Sequence, residues 1–83
     1  MISAYVLTTV KQNGKIHETM EQIKSIDNLK SISVVSGKHD LIIYVNTPSL
    51  DKLYDLTNKI QCHPSVIRTS TQIIEQEIMG SLN

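Results

Sequence analysis

The stretch that decides the fold is residues 32–45, ISVVSGKHDLIIYV. Two runs of apolar and β-branched residues flank residues 37–39, and a glycine with polar neighbours between such runs predicts a β-hairpin. The second run places apolar side chains on both faces of its strand, with Leu41, Ile43 and Val45 on one face and Ile42 and Tyr44 on the other. A strand with one face in water alternates apolar and polar residues. We therefore expect both faces of this strand to be covered.

The segment before the hairpin predicts a strand and then a helix. Residues 2–10 are rich in β-branched and aromatic side chains and end at a polar turn over residues 11–14, which is typical of a strand. From Lys15 onward, apolar residues recur at the spacing of one helix face. The apolar side chains of that face are Ile16, Met20, Ile23 and Ile26.

The segment after the hairpin predicts a second helix. Thr47 and Pro48 are interpreted as its cap and first helical residue, because a hydroxyl accepts a free backbone N–H and proline presets φ. Residues 62–65 end the helix, since geometry before a proline is rarely helical. The buried face of this helix is expected to contain Leu50, Leu53, Leu56 or Thr57, and Ile60. A last strand is expected over residues 66–74, extending to Ile78, and then a frayed tail at residues 80–83.

This order of elements predicts a single domain over residues 1–83 of the α+β class, with a ferredoxin-like βαββαβ fold. Right-handed crossovers place both helices on one face of a four-stranded antiparallel sheet. The other face has no cover within the chain, and its apolar side chains predict burial against a second copy. The alternative is that a few apolar side chains stay exposed, as on most soluble proteins.

Composition excludes several classes of protein. Eight basic and eight acidic residues cancel, which argues against direct nucleic-acid binding. The single cysteine, Cys62, excludes an internal disulfide and fits a reducing compartment. We find neither the pattern of a signal peptide nor an apolar run of membrane-spanning length, so we expect a cytoplasmic protein without membrane contact.

The sequence offers little material for catalysis or for binding a metal. His17 lies on the polar face of the first helix, and the neighbouring pair Cys62 and His63 is interpreted as a helix-terminating turn, because adjacent side chains seldom point at each other. Metal-ligand spacings and phosphate-binding glycine loops do not occur. We predict no catalytic residue, no metal site and no cofactor.

Two polar patches remain. Residues 37–40 combine a glycine, which lets backbone N–H groups approach a ligand, with the carboxylate of Asp40. Residues 68–71 place a row of hydroxyls inside a predicted strand. Each patch also has a purely structural interpretation, because an aspartate can bond its own turn and threonine is a good strand former. The residues alone leave both interpretations open.

Two segments closely resemble a known family. Residues 35–41, VSGKHDL, and residues 66–73, VIRTSTQI, are similar to the effector-binding (RAM) domain of the Lrp/AsnC transcription regulators, and the resemblance covers about residues 2–78. It implies homodimers that pair through their sheets and associate into octamer-like rings. It also implies an amino-acid effector bound between dimers. The sequence shows no helix-turn-helix segment, so a stand-alone form of the domain is expected, without direct DNA binding.

The resemblance and the chemistry converge on one set of effector-binding residues: Gly37, His39, Asp40, Thr69 and Thr71. The carboxylate of Asp40 is expected to accept the effector's ammonium group, while loop amides and the two hydroxyls donate to its carboxylate. His39 stands where the family commonly has an aromatic residue, and its imidazole is expected to make binding sensitive to pH near neutrality.

We therefore expect a small-molecule sensor whose output is assembly, and which modulates transcription by co-assembly with full-length Lrp/AsnC regulators. The alternative is a structural oligomerisation module with no ligand. Enzymatic activity is the least expected function. Ferredoxin-like dimers do include small oxygenases and acyl-phosphate hydrolases, but the only arginine that could serve an anion-binding loop, Arg68, lies in a strand.

Overall fold

The computed structural model describes residues 1–79 and contains four strands and two helices. In chain order these are β1 (Ile2–Val10), α1 (Ile16–Ile23), β2 (Leu29–Val34), β3 (Leu41–Thr47), α2 (Leu50–Gln61) and β4 (Val66–Ile73). The strands form one sheet in the order β2-β3-β1-β4, with every neighbouring pair antiparallel. This architecture confirms the predicted α+β, ferredoxin-like fold. None of the helices within residues 1–79 is long and apolar enough to cross a membrane.

One face of the sheet packs against both helices and forms the core. The two central strands supply alternate residues to it, because side chains two apart share a face. The buried apolar residues are Ala4, Val6, Val10, Ile23, Leu41, Ile43, Val45, Leu53, Leu56, Ile60 and Val66. Three buried threonines satisfy their hydroxyls locally, as in Thr19, which donates to the carbonyl of Lys15 at 3.0 Å. Burial of such a hydroxyl without a partner would be unfavourable.

The opposite face, which we call the open face, carries no helix. Two rows of paired residues cross it in the order of the strands: Ser33, Ile42, Leu7 and Ser70 in one row, and Ser31, Tyr44, Tyr5 and Gln72 in the other. In both rows the central strands carry apolar or aromatic side chains and the edge strands carry polar ones. The rings of Tyr5 and Tyr44 lie with their centroids 5.4 Å apart. Ile42 and Tyr44 of β3 are half-buried on this face in the single chain, and the expected cover by a second copy stays a prediction.

The start of α2 differs from the prediction. Ser49, not Thr47, is the cap, and its side chain accepts a hydrogen bond from the backbone N–H of Lys52 at 3.3 Å. Thr47 is instead the last residue of β3, where it pairs with Ile2 and is fully buried. Pro48 therefore precedes the helix. Leu50, predicted to lie on the buried face, is 40% exposed.

Two other boundaries also differ. The helix α1 ends at Ile23, so Ile26 lies beyond it, although this side chain still packs against the core. β4 ends at Ile73, and the backbone N–H of Ile74 makes one more bond to the carbonyl of Ser3 at 2.8 Å. The strand does not reach Ile78, which is 82% exposed. The predicted frayed tail at residues 80–83 lies outside the described residues.

Candidate functional site

The β2–β3 hairpin folds its tip against the end of β1. The backbone N–H of Val35 donates to the carbonyl of Asp40 at 2.9 Å, which closes the loop. The backbone N–H of Asp40 then donates to the carbonyl of Thr8 at 3.0 Å. Gly37 has a φ of +144°, a conformation that L side chains rarely adopt. An added Cβ would meet no atom within 4 Å, so space does not explain the glycine. The backbone conformation requires it.

The carboxylate of Asp40 has two different partners. Its Oδ2 accepts the backbone N–H of Val10 at 2.9 Å, and its Oδ1 accepts the side-chain amide of Gln12 at 3.2 Å. The β1–β3 backbone pairing ends at Thr8 and Leu41. The carboxylate thus supplies the acceptor that Val10 lacks once β3 has ended. Oδ2 therefore takes part in the hydrogen bonding of the sheet, whereas Oδ1 contacts the exposed, neutral side chain of Gln12.

Two buried polar atoms near this tip lack partners in the described part of the chain. Nδ1 of His39 and Oγ1 of Thr9 are both buried and make no hydrogen bond within residues 1–79. Such atoms are rare in folded proteins, because leaving them unpaired is unfavourable. Thr9 follows Thr8, whose carbonyl holds the hairpin, so both atoms lie at the same end of the sheet. Both atoms are therefore available to form hydrogen bonds with a ligand or a second copy at this end of the sheet.

The backbone N–H groups of residues 37–39 add donors to this region. Within the described part of the chain they donate no hydrogen bond. Successive free amides in a loop form a concavity that attracts anions. The hairpin tip thus presents donors in its loop and a carboxylate at its base.

The two predicted threonines lie across β1 from the hairpin. Thr69 pairs with Thr8, and Thr71 pairs with Val6, so both face the helix side of the sheet. Since β1 separates β3 from β4, two strand spacings of about 10 Å in total lie between them. Within one chain the structure brings Gly37, His39 and Asp40 together but leaves the two threonines apart.

The hydroxyl of Thr69 is already engaged. Both its Oγ1, at 2.9 Å, and its backbone N–H, at 3.0 Å, donate to Oε1 of Gln61 at the end of α2. This contact fastens the edge strand β4 to the helix. With its proton committed to Gln61, the hydroxyl presents lone pairs to other groups and acts as an acceptor. The expected role of Thr69 as a donor to a carboxylate would need that contact to break.

The sequence matches a known ligand-binding domain over nearly its whole length. The model of the Lrp/AsnC ligand binding domain matches residues 3–81. The chain belongs to this family. No curated protein matches the sequence.

Solved structures agree with the Lrp/AsnC assignment. The crystal structure of FFRP-DM1 is 36% identical, with a TM-score of 0.81, over 89% of this chain and 99% of that one. The hypothetical protein PHS023 from Pyrococcus horikoshii is 35% identical, with a TM-score of 0.80, over 94% of each chain. A feast or famine regulatory protein from M. tuberculosis, complexed with L-methionine, has a TM-score of 0.83 at 23% identity. This chain covers 56% of that regulator, and the likeness concerns the fold.

In this Lrp/AsnC domain, sequence reasoning missed the residues that surround Asp40. Gln12 stood in the predicted polar turn and Thr9 in the first strand, with no local signal that either would meet the hairpin. The signal lay in the sheet register, which brings the end of β1 beside the start of β3. Only a correct pairing of the two strands would have identified these residues.

The pair Cys62 and His63 also has a structural explanation. Nδ1 of His63 accepts the backbone N–H of Ser65 at 3.0 Å, so Nε2 carries the proton and donates to Oε1 of Gln22 in α1. Both ring nitrogens are occupied by contacts that hold the turn against α1. Cys62 is exposed and unbonded. Within residues 1–79, no group of three His, Cys, Asp or Glu side chains is arranged to hold a metal ion.

Proposed function

We propose that this chain is a non-catalytic, cytoplasmic effector-binding domain that works as a homo-oligomer and senses an amino acid at the β2–β3 hairpin. The observation that carries the proposal is the open face, where two central strands present apolar side chains between polar edge strands. A second copy is the cover that such a face needs. A chain with a single cysteine fits a reducing compartment.

Self-association through the open face follows from its chemistry. Tyr5 is 43% exposed in the single chain, and Leu7, Ile42 and Tyr44 are half-buried. Removal of apolar surface from water is favourable by about 25 cal/mol per Å². An apolar centre within a polar rim is the usual anatomy of a protein interface, and two copies of the same patch pair about a two-fold axis. We propose a dimer through this face, and an octamer-like ring of such dimers.

The hairpin supplies complementary groups for a free amino acid. Its ammonium needs an acceptor, which Asp40 provides, and its carboxylate needs donors, which the amides of residues 37–39 provide. His39 would line the pocket, where its unpartnered Nδ1 gains a hydrogen bond from the ligand. Exposed ion pairs contribute little to binding. A neighbouring protomer that shields the hairpin would therefore strengthen the interaction with the ligand.

The threonines enter this proposal through a second protomer. Thr69 and Thr71 lie across β1 from the hairpin of their own chain, so we propose that a ligand in contact with both groups lies between protomers. An effector held this way stabilises the assembled state by its preference for it. We propose that this assembly, together with full-length Lrp/AsnC regulators, modulates transcription.

A purely structural module is the second candidate. It is favoured by the two hydrogen bonds that already occupy the carboxylate of Asp40 within the chain. Under that interpretation, Asp40 only fixes the hairpin to β1, and the polar groups of the tip make contacts between copies. Binding measurements separate the two candidates.

Titration calorimetry against the twenty amino acids tests the proposal, at protein concentrations where sedimentation shows an intact oligomer. L-methionine comes first, because the M. tuberculosis regulator of the same fold was complexed with it. We expect heat for at least one amino acid, and its loss in Asp40→Asn, which keeps an acceptor for Val10 but removes the charge. Asp27→Asn, an exposed aspartate in the turn after α1, is the matched control and should bind normally. An intact oligomer with no heat for any amino acid would establish the structural module instead.

A further inference from the structure

We propose that Gln12 holds the place of the effector's ammonium group on Asp40 in the empty protein and is displaced when the effector binds. The inference rests on the proposed function and adds to it a residue that sets affinity. It also proposes that effector binding at the hairpin loosens the loop between β1 and α1.

The two hydrogen bonds of Asp40 are unequal. The bond to Val10 involves a backbone N–H at the end of β1, in a residue only 2% exposed, and it continues the pattern of the sheet. The bond to Gln12 is longer, at 3.2 Å, and joins an exposed side chain to the other oxygen. An incoming group would therefore replace Gln12 and leave Val10 in place.

The chemistry of the competition favours the ligand. Gln12 offers a neutral amide to the carboxylate, whereas an ammonium group adds the attraction between opposite charges to its hydrogen bond. The side chain of Gln12 makes no other hydrogen bond within the described residues, so its release also restores its rotamer freedom. Oδ1 of Asp40 is thus occupied by a weak partner that a cation can displace.

The displaced residue lies in the connection to α1. Lys11, before it, donates its backbone N–H to the carbonyl of Ser65 at 2.8 Å. Asn13, after it, accepts the backbone N–H of Lys15 at 3.1 Å, just before the helix begins. Between these two anchors, the Gln12–Asp40 contact joins the β1–α1 loop to the hairpin. Its loss on effector binding would free the centre of this loop.

Two variants test the inference in calorimetry with the twenty L-amino acids. Gln12→Ala removes the competitor, and we expect the amino acid that binds the wild type to bind roughly two- to tenfold more tightly, the factor that corresponds to one net hydrogen bond. Asn13→Ala loosens the same loop without contacting Asp40 and should leave affinity unchanged. The N-acetyl derivative of the same amino acid lacks an ammonium group, so we expect it to give no binding heat with the wild type or with Gln12→Ala.

Amide hydrogen exchange supplies a second measurement. In the wild type, exchange across residues 11–14 should become faster when the binding amino acid is saturating, and in Gln12→Ala it should already be fast without ligand. Wild-type binding with unchanged or weaker affinity in Gln12→Ala would overturn the role of Gln12 and leave the effector site intact. Equal gains in Gln12→Ala and Asn13→Ala would point to loop loosening and also overturn it. Absence of binding by every variant would remove the proposed function, and this inference with it.

Discussion

The carboxylate of Asp40 accepts a hydrogen bond from the backbone N–H of Val10 at 2.9 Å, beyond the last backbone pair of their two strands. The side chain of Asp40 thus extends the hydrogen bonding between β1 and β3 past the point where their backbone pairing ends. The hairpin tip is held against β1 by this contact and by the bond from the Asp40 backbone to Thr8. The contact to Val10 requires an acceptor side chain at position 40, whereas the backbone contact to Thr8 does not.

Removal of that acceptor should destabilise the fold. We expect Asp40→Ala to lower the free energy of unfolding by about 1–3 kcal/mol, the cost of leaving a partly buried donor unpaired. Asp40→Asn keeps an oxygen acceptor and should lose less. Urea unfolding measures both, at one protein concentration, because self-association contributes to apparent stability. Equal losses in the two variants would show that charge, and not the hydrogen bond to Val10, fixes the hairpin.

A lysine in the centre of the open face should dissociate the oligomer. Ile42→Lys places a charge where the proposed interface is most apolar, and a buried unpaired charge is strongly unfavourable. The core lies on the other face, so we expect a folded monomer by circular dichroism and analytical ultracentrifugation. Tyr54→Lys is the matched control, because Tyr54 is 54% exposed on α2, away from the open face.

Two sedimentation results would contradict the proposed interface. Ile42→Lys with unchanged sedimentation, or a wild-type chain that sediments as a monomer at tens of micromolar, would rule out pairing through the open face. If Ile42→Lys fails to fold, Leu7→Lys tests the same patch from the neighbouring strand. The two side chains are directly paired across β1 and β3.

The cap of α2 can be assigned by substitution. Ser49→Ala should lower the free energy of unfolding by about 1 kcal/mol, and Ser49→Gly by only a few tenths, as at other helix caps. Urea unfolding with the helical signal at 222 nm measures both. If Thr47 were the cap, Ser49→Ala would be nearly neutral. A neutral result would therefore return the helix start to the position that the sequence pattern predicted.

Local patterns account for most of the architecture. The runs of β-branched residues, the helical spacing of apolar residues and the glycine at position 37 place the elements in the right order, because each depends on neighbours in the chain. The same patterns identified both apolar faces of β3. They failed at Thr47, where a good cap residue is used as the last strand residue because it pairs with Ile2 of β1.

The sequence by itself determined the βαββαβ order, the hairpin at residues 37–39 and the family to which the chain belongs. Tertiary structure decided which groups meet. Gln12 reaches Asp40 and Gln61 reaches Thr69 only after the strands have aligned and α2 has packed on the sheet. Residues 28 positions apart have no periodic relationship that a local pattern can reveal. Their contact depends on strand register, which the burial of one whole face of the sheet selects.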